Sequence, residues 1–162
     1  MARCIIALGS NLNDPHKQLI QAADFLATLS DKPIIKSSIY VSEPIGPSEH
    51  DFLNAAISIE TKKSALEIFE ACQTQEQLQG RPSRYPKWTA RCIDMDIIAY
   101  GDDVINLPKL QIPHPEYSSR LFVLLPLQEI DPHWEDPIQR IPINLLLKKA
   151  PEMAIRKTSL NW

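Results

Sequence analysis

Hydrophobic positions along the chain alternate between a period of two and a period near 3.6, which predicts strands interleaved with helices. The apolar run 3–8, RCIIAL, predicts a buried strand that ends at Gly9. A first helix is predicted after Asn13-Asp14-Pro15, because an acidic cap and a proline in the first turn are typical helix starts. The remaining predicted elements are a strand over 34–41, a strand over 54–61, a helix from the capping box at Ser64 to Gly80, and a strand over 92–100.

The order β-α-β-β-α-β predicts an α+β fold of the ferredoxin-like type, with a mainly antiparallel sheet and helices packed on it. Beyond it, GDD at 101–103 predicts a turn after which Val104-Ile105 pairs back as a hairpin. The apolar segment 122–130 fits a helix or a strand, although Pro126 argues against a central strand. A further helix is predicted over 142–150. No repeat or low-complexity linker divides the chain, which predicts a single domain over 1–162.

Composition narrows the functional classes. A net charge of −3 argues against a general nucleic-acid binder, without excluding a local basic pocket. Three cysteines are an odd number without metal-site spacing, which predicts reduced thiols and a cytoplasmic protein. No apolar run reaches the length of a membrane span. Fourteen prolines against four glycines predict loops that are long but stiff.

Two acidic side chains interrupt the apolar strand 92–100. Asp94 and Asp96 are two positions apart and therefore face the same side with Ile98, about 6.5–7 Å apart by the rise of a strand. The opposite, buried face is predicted to hold Ile93, Met95, Ile97 and Ala99. Two solvated acids on an edge strand would be the commoner explanation of an isolated D-x-D. Here a cationic loop precedes the pair, which favours magnesium carrying a polyphosphate.

Cationic and polar side chains suited to phosphate surround this strand in sequence. The loop 81–91 holds Arg81, Arg84, Lys87 and Arg91, and Arg120 follows later. Arginine favours bidentate phosphate contacts, whereas at least Lys87 or Arg84 is expected to be an ordinary surface cation. His114 lies between two prolines that fix its ring, and Gln73 and Glu76 share one helical face.

Aromatic residues beside the loops suggest a slot for a flat heterocycle. Trp88, Phe52 and Phe122 could stack on such a ring, while the Asn54 amide offers a donor and an acceptor to its edge. Gly9-Ser10-Asn11 lacks the lysine and later glycine of a P-loop, and no G-x-G-x-x-G is present. A Walker or Rossmann nucleotide site is therefore disfavoured.

The motifs together resemble the 6-hydroxymethyl-7,8-dihydropterin pyrophosphokinases of folate synthesis, over about residues 3–130. They are GSNL (9–12), PIGPSEHDFLNAA (44–56), QGR (79–81), KWTARCIDMDI (87–97) and PHPEYSSRLFVLLPL (113–127), in the family's order and spacing. The resemblance implies a ferredoxin-like α+β fold. It also implies transfer of pyrophosphate from ATP to the pterin hydroxymethyl group, with release of AMP.

The resemblance assigns roles residue by residue. It implies two Mg²⁺ ions on Asp94 and Asp96, and catalytic roles for Arg81, Arg91, Asp94 and Asp96. The implied ATP-binding positions are Gln73, Glu76, Arg84, Lys87, Ile97, His114 and Arg120. The implied pterin-binding positions are Ser42, Glu43, Ile45, Phe52, Asn54, Trp88 and Phe122. A monomer that uses two small-molecule substrates, without nucleic acid or membrane, is expected.

Two other classes stay open at this stage. A non-catalytic or weakly active nucleotide- or pterin-binding paralogue is motivated by departures from the family pattern between Ser83 and Ala90. An RNA-binding ferredoxin-like domain should show aromatics and a basic face on its sheet, whereas this sheet offers Asp94 and Asp96.

Overall fold

The computed structural model describes residues 1–44, 50–80 and 92–162. Its strands are β1 (Ala2–Ser10), β2 (Ile35–Lys36), β3 (Tyr40–Ser42), β4 (Phe52–Thr61), β5 (Asp94–Tyr100), β6 (Ile105–Leu107), β7 (Leu110–Ile112) and β8 (Ile155–Lys157). Its helices are α1 (Pro15–Leu29), α2 (Ala65–Leu78), α3 (Leu121–Ile130) and α4 (Ile143–Lys149), with a 3-10 turn at Tyr117–Ser119. No helix in these described ranges is long and apolar enough to cross a membrane.

One sheet organises the molecule, in the strand order β5-β1-β4-β3-β8, with β2 also paired to β4. Every pairing in it is antiparallel. Strands β1 and β4 lie at the centre, and the two βαβ crossovers through α1 and α2 place them there. The predicted α+β fold of the ferredoxin-like type is confirmed.

Both faces of the sheet are covered. On one face α1 and α2 pack over Ile6, Leu8 and Ile57, which form the larger hydrophobic cluster. On the other face α3 and α4 pack over Ile5 and Ile98. Successive β1 side chains therefore enter different clusters, as the alternation of a strand requires. We call these the first and the second cluster.

The helix starts follow their local sequence signals. The Asp14 side chain accepts a hydrogen bond from Lys17 N at 3.4 Å, and Pro15 occupies the first turn of α1. At α2 the Ser64 hydroxyl accepts from Glu67 N, while the Glu67 carboxylate accepts from Ser64 N at 3.0 Å. Both predicted starts are confirmed, and each satisfies helix N–H groups that would otherwise lack a partner.

Gly80 follows α2 with a φ of +112°, a region that side chains with a Cβ rarely adopt. A Cβ added there would also lie 3.2 Å from Cys92 Sγ. The predicted stop at Gly80 is confirmed, and close approach to Cys92 is a second reason for glycine.

The single strand predicted over 34–41 is wrong, because the segment forms two short strands. Ser37 N donates to Ala56 O at 2.9 Å, but Ala56 N donates to the Ser37 hydroxyl rather than to a main-chain carbonyl. A side chain has replaced the backbone acceptor, and regular pairing stops between β2 and β3.

The hairpin predicted from Val104-Ile105 is also wrong in its partner. Ile105 pairs with Ile112, so β6 and β7 form a separate two-stranded sheet. Strand β5 ends at Tyr100, and the next residue, Gly101, has a φ of +54° and donates its N–H to Arg3 O at 2.7 Å. The chain therefore turns away from β5.

The 122–130 segment, which fitted either a helix or a strand, forms the helix α3. The short, exposed strand β8 is not predicted by any pattern in the sequence.

A bulge changes one face of β5. Ile5 pairs with Ala99 while Ile6 pairs with Ile97, so Ile98 is an extra residue on this strand. Ala99 consequently lies in the second cluster instead of sharing the face of Ile97. The prediction that Ala99 shares the buried face of Ile93, Met95 and Ile97 is wrong, because the bulge interrupts the alternation of side chains along β5.

Candidate active site

Strand register places three positions in one row across the centre of the sheet. Gly9 of β1 pairs with Asp94 on one side and with Asn54 on the other. Directly paired residues in antiparallel strands point to the same face, so Asp94 and Asn54 share a face. Gly9 contributes no side chain between them. The row is therefore a trough with a carboxylate at one end and an amide at the other.

The second aspartate lies one row further along the same face. Asp96 pairs with Ala7, whose methyl group packs against the second cluster. Both aspartates are half-buried. Their spacing along the strand is about 6.5–7 Å, as the rise of a strand requires. The small side chain of Ala7 and the bare backbone of Gly9 leave space beside each carboxylate.

Helix α2 holds the strand between these two aspartates. Met95 N donates to Glu76 Oε2 at 2.9 Å, and Glu76 is only 6% exposed. Strand β5 stands at one end of the strand order, so this N–H has α2 rather than another strand as its partner. The buried carboxylate thus fixes the backbone from which Asp94 and Asp96 project. The prediction that Glu76 contacts ATP stays a prediction.

The donor set fits magnesium held jointly with a substrate. Mg²⁺ is usually bound by one or two carboxylates, with water and substrate phosphates completing its octahedron. Asp94 and Asp96 supply such oxygens. Within 1–44, 50–80 and 92–162, no group of three or more His, Cys, Asp or Glu residues could hold a metal by itself. Two carboxylates supply only part of an octahedral Mg²⁺ shell, so the pair suits a metal whose remaining ligands are water and phosphate oxygens.

Asn54 is oriented by two hydrogen bonds. Its Nδ2 donates to Ser42 Oγ at 2.8 Å and to the Phe52 carbonyl at 3.5 Å. A carbonyl only accepts, which assigns the amide nitrogen to this side. Oδ1 then points toward Gly9, where an added Cβ would lie 3.6 Å from it and 3.8 Å from Phe52 Cδ1. The trough is thus bordered by a hydrogen-bond acceptor and an aromatic ring.

Glu43 is held by the C-terminal segment. Its N–H donates to Ala154 O at 3.0 Å, and its carboxylate accepts from Ala154 N at 3.2 Å. These bonds continue the pairing of β3 with β8. They fix the chain just after Ser42, and pterin contact by Glu43 stays a prediction.

The segment before α3 brings a histidine and an arginine together. His114 Nδ1 accepts from Glu116 N at 3.2 Å, which leaves the ring proton on Nε2. Burial, and next the charge of Arg120, lower the pKa of His114, although Glu116 acts in the opposite direction. The ring is therefore neutral at pH 7, with Nε2–H as a donor. Arg120 pairs with Glu116 and lies over the Phe122 ring, 5.6 Å from its centroid.

Phe122 and Ala7 both pack against the second cluster, which places the first turn of α3 on the face that carries Asp96.

Two other predicted ATP positions, Gln73 and Ile97, differ in how exposed their side chains are. Gln73 is exposed on α2, whereas the Ile97 side chain is buried in the first cluster and leaves only its main chain for a ligand. The predicted residues Ile45, Arg81, Arg84, Lys87, Trp88 and Arg91 lie outside the described residues.

The sequence model of the 7,8-dihydro-6-hydroxymethylpterin-pyrophosphokinase (HPPK) family matches residues 5–132, most of the chain. The chain belongs to this family. It is 38% identical over 158 residues to the 2-amino-4-hydroxy-6-hydroxymethyldihydropteridine pyrophosphokinase of Haemophilus influenzae, covering 96% of this chain and 98% of the relative. The Bacillus subtilis pyrophosphokinase is 39% identical over 127 residues, covering 77% of this chain and 75% of its own. The resemblance seen in the motifs is confirmed.

Solved structures agree on the fold. A Plasmodium falciparum HPPK-DHPS structure, the A437G variant with SDX-DHP, aligns with a TM-score of 0.71 at 16% identity. The alignment covers 91% of this chain and 45% of that one, so this HPPK chain spans less than half of the HPPK-DHPS protein.

Two features of the site escaped sequence reasoning. The sequence marks Gly9 as the end of a strand, as part of a weak phosphate turn and as part of the GSNL motif, but none of these predicts that it forms the floor between Asp94 and Asn54. The bond from Met95 N to Glu76 joins residues 19 positions apart. A glycine near the end of an apolar strand was the available signal for the first. The second depends on how α2 docks on β5 and has no local signal.

Proposed function

We propose that this protein transfers pyrophosphate from ATP to the hydroxymethyl group of 6-hydroxymethyl-7,8-dihydropterin, releasing AMP, in folate biosynthesis. The observation that carries the proposal is the row in which Asp94 and Asn54 flank Gly9 on one face. In this row a carboxylate that could ligate phosphate-bound metal lies across Gly9 from an oriented amide and an aromatic ring. Membership of the HPPK family supports the same reaction.

The reaction is a displacement at the β-phosphorus of ATP. The pterin hydroxyl oxygen forms a bond to this phosphorus, and the bond from phosphorus to the oxygen of the α-phosphate breaks. AMP leaves with the electron pair, and the hydroxyl proton is released. Such phosphoryl chemistry depends mostly on positioning and on electrostatic stabilisation.

We propose that Asp94 and Asp96 hold two Mg²⁺ ions together with the phosphates. When bound, the ions would neutralise charge on the transferring group and favour ionisation of the hydroxyl. The two carboxylates lie on a strand that the buried Glu76 fixes. Their place in the site is therefore set before a substrate arrives, which lowers the cost of assembling the reacting groups.

The pterin is proposed to lie in the trough over Gly9. Asn54 Oδ1 accepts a hydrogen bond from a ring N–H, and Phe52 contacts the ring face. Ser42 orients the amide, and Glu43, Ile45, Trp88 and Phe122 complete the proposed slot. The Asp94 carboxylate, on the other side of Gly9, would then face the hydroxymethyl group rather than the ring edge that Asn54 recognises.

The nucleotide is proposed to meet the first turn of α3 and the end of α2. Neutral His114 offers Nε2–H, and Arg120 offers a guanidinium already oriented by Glu116. The other proposed nucleotide contacts are Gln73, Glu76, Arg84, Lys87 and Ile97. Arg81 and Arg91 are proposed to stabilise charge on the transferring group.

We also propose that the protein is a monomer and acts in the cytoplasm, where its three buried free thiols would stay reduced.

The test is AMP formation from ATP, millimolar Mg²⁺ and 6-hydroxymethyl-7,8-dihydropterin, followed by chromatography. AMP and the pterin diphosphate are expected in equal amounts. The matched control substrate is 6-methyl-7,8-dihydropterin, which has no hydroxyl and should give no AMP. Binding of both substrates without AMP would identify a non-catalytic binding module and overturn the proposal.

A further inference from the structure

A buried hydrogen bond ties the segment before α3 to the chain that follows α3. The Tyr117 hydroxyl donates to Asp136 Oδ2, with Tyr117 4% and Asp136 7% exposed. Burial, and next the bond to Asp136, raise the pKa of Tyr117, so the phenol stays protonated as a donor. Asp136 lies beyond residue 132, where the match to the family ends.

The acceptor is itself held rigidly. Asp136 Oδ1 accepts from the N–H groups of Ile138 and Gln139, at 2.7 and 2.9 Å. The Trp134 ring meets the Tyr117 ring edge to face, with centroids 5.5 Å apart and planes at 88°. The phenol therefore has a fixed partner and a fixed ring contact, which allow one position for Tyr117.

The backbone of Tyr117 links the two predicted phosphate-contacting residues. Its N–H donates to His114 O at 3.3 Å, and its carbonyl accepts from Arg120 N at 3.1 Å. The same residue thus joins His114, Arg120 and, through its side chain, Asp136. A shift of Tyr117 would move both ligand groups together.

We propose that Tyr117 and Asp136 form a positioning pair that sets His114 and Arg120 for the phosphates of ATP. The inference rests on the proposed function, because ATP is the ligand it concerns. Both residues are buried, so they are proposed to act through His114 and Arg120 rather than by contact with the reacting atoms. Loss of the hydroxyl or of the carboxylate is expected to loosen nucleotide binding and to spare pterin binding.

The test compares Tyr117→Phe with Tyr100→Phe as the matched control. Tyr117→Phe keeps the ring against Trp134 and removes only the donor. Tyr100→Phe also removes one hydroxyl, which donates to Lys63 O at 2.7 Å, about 20 Å along β5 from Asp94. Tyr117→Phe should raise the KM for ATP about 3- to 10-fold, the range for one net hydrogen bond. The KM for the pterin, and both constants in Tyr100→Phe, should stay unchanged.

A second set of variants separates positioning from simple stability. Asp136→Asn keeps an oxygen for the two N–H groups and turns an amide toward the phenol oxygen. Its KM for ATP should therefore be closer to that of the parent protein than the KM of Asp136→Ala. The double variant Tyr117→Phe/Asp136→Ala should raise the KM for ATP no further than Asp136→Ala alone, because one interaction is lost once. Additive effects of the two substitutions on the KM for ATP would overturn the proposal that the residues act as a pair. If Asp136→Ala does not fold, Tyr117→Phe alone decides.

The outcomes also separate this inference from the proposed function. If the parent protein forms AMP and Tyr117→Phe keeps its KM for ATP while its melting temperature falls, the residue is only structural and the inference fails. If the parent forms no AMP, the proposed function fails. The Kd of α,β-methylene-ATP, measured by calorimetry for parent and Tyr117→Phe, then tests the inference without turnover. An equal Kd would overturn it.

Discussion

Asp94 and Asn54 face the same side of the sheet with only the bare backbone of Gly9 between them. The two side chains come from strands on opposite sides of β1, and their separation is fixed by strand spacing at about 9–10 Å between backbones. This places the proposed metal-binding carboxylate and the proposed ring-recognising amide within the span of one small substrate.

Gly9 therefore sets the depth of the trough. Its φ lies outside the left-handed region, and an added Cβ meets Asn54 Oδ1 at 3.6 Å and Phe52 Cδ1 at 3.8 Å, which are ordinary contacts. Gly9→Ala should fold with stability within about 1 kcal/mol of the parent. Gly9→Leu should fill the trough and raise the KM for the pterin about 100-fold or more, equivalent to roughly 3 kcal/mol.

The measurement is the KM for each substrate together with the melting temperature. A Gly9→Leu protein that folds and keeps its KM for the pterin would show that the ring does not lie over this position. Gly9→Ala is the control, because it removes the backbone freedom of glycine but adds only a methyl group to the trough.

Glu76 should act through the strand that it holds. Glu76→Ala leaves the buried Met95 N–H without its acceptor and should lower the free energy of unfolding by about 1–3 kcal/mol, with a fall in kcat. Glu76→Gln keeps an acceptor and should lie closer to the parent in both. Chemical denaturation and steady-state kinetics measure the two effects. A Glu76→Ala protein that keeps the parent's free energy of unfolding would contradict this role in holding the strand, whereas a raised KM for ATP in Glu76→Gln at unchanged stability would report the proposed nucleotide contact.

Glu129 ties α3 to β3, accepting from Ser38 N, the Ser38 hydroxyl and the Tyr40 hydroxyl at 2.7–2.9 Å. Burial alone would raise the pKa of Glu129, but these bonds and Lys157 outweigh it and lower the pKa. A lowered pKa in the folded state means that this stabilisation is complete above the unfolded value, about 4.3, and is lost as pH falls through the folded value.

Glu129→Gln should therefore cost about 1–3 kcal/mol at pH 7, with a difference from the parent that shrinks toward pH 3. Urea unfolding at a series of pH values measures it. Glu152→Gln, at an exposed acid, is the matched control and should show no such trend. A difference that stays constant from pH 7 to pH 3 would contradict the role of the ionised carboxylate.

Local chemistry was enough to predict much of the fold. Asp14 and Pro15 marked one helix start, and Ser64 with Glu67 marked another, because each cap satisfies nearby N–H groups. The shared face of Asp94 and Asp96 followed from alternation over three residues. These predictions needed no knowledge of a distant partner.

Other features depended on residues far apart in sequence. The pairing of Gly9 with Asn54 and with Asp94 spans two separate crossovers, so no local pattern marks the trough. The break at Ser37 arises because its hydroxyl replaces a carbonyl opposite Ala56. The displacement of Ala99 arises from a bulge that only the register with β1 shows. Register and side-chain substitution in a ladder are tertiary properties.

Asp94 and Asp96 should each be required for catalysis. Asp94→Ala or Asp96→Ala should lower AMP release at millimolar Mg²⁺ about 100-fold or more, as expected when a ligand that stabilises transition-state charge is removed. The melting temperature should change little, because both side chains are half-buried. Asp24→Ala, at an exposed acid of α1, is the control. Near-normal turnover in either aspartate variant would contradict the two-metal proposal.

The fate of a label in ATP tests the proposed reaction most directly. With ATP labelled at the β-phosphorus, Mg²⁺ and 6-hydroxymethyl-7,8-dihydropterin, the label should appear in the pterin diphosphate while AMP stays unlabelled. Transfer of both the β- and γ-phosphates in one step requires this distribution. Label recovered in ADP or in free pyrophosphate, with the pterin unchanged, would contradict pyrophosphate transfer by this protein.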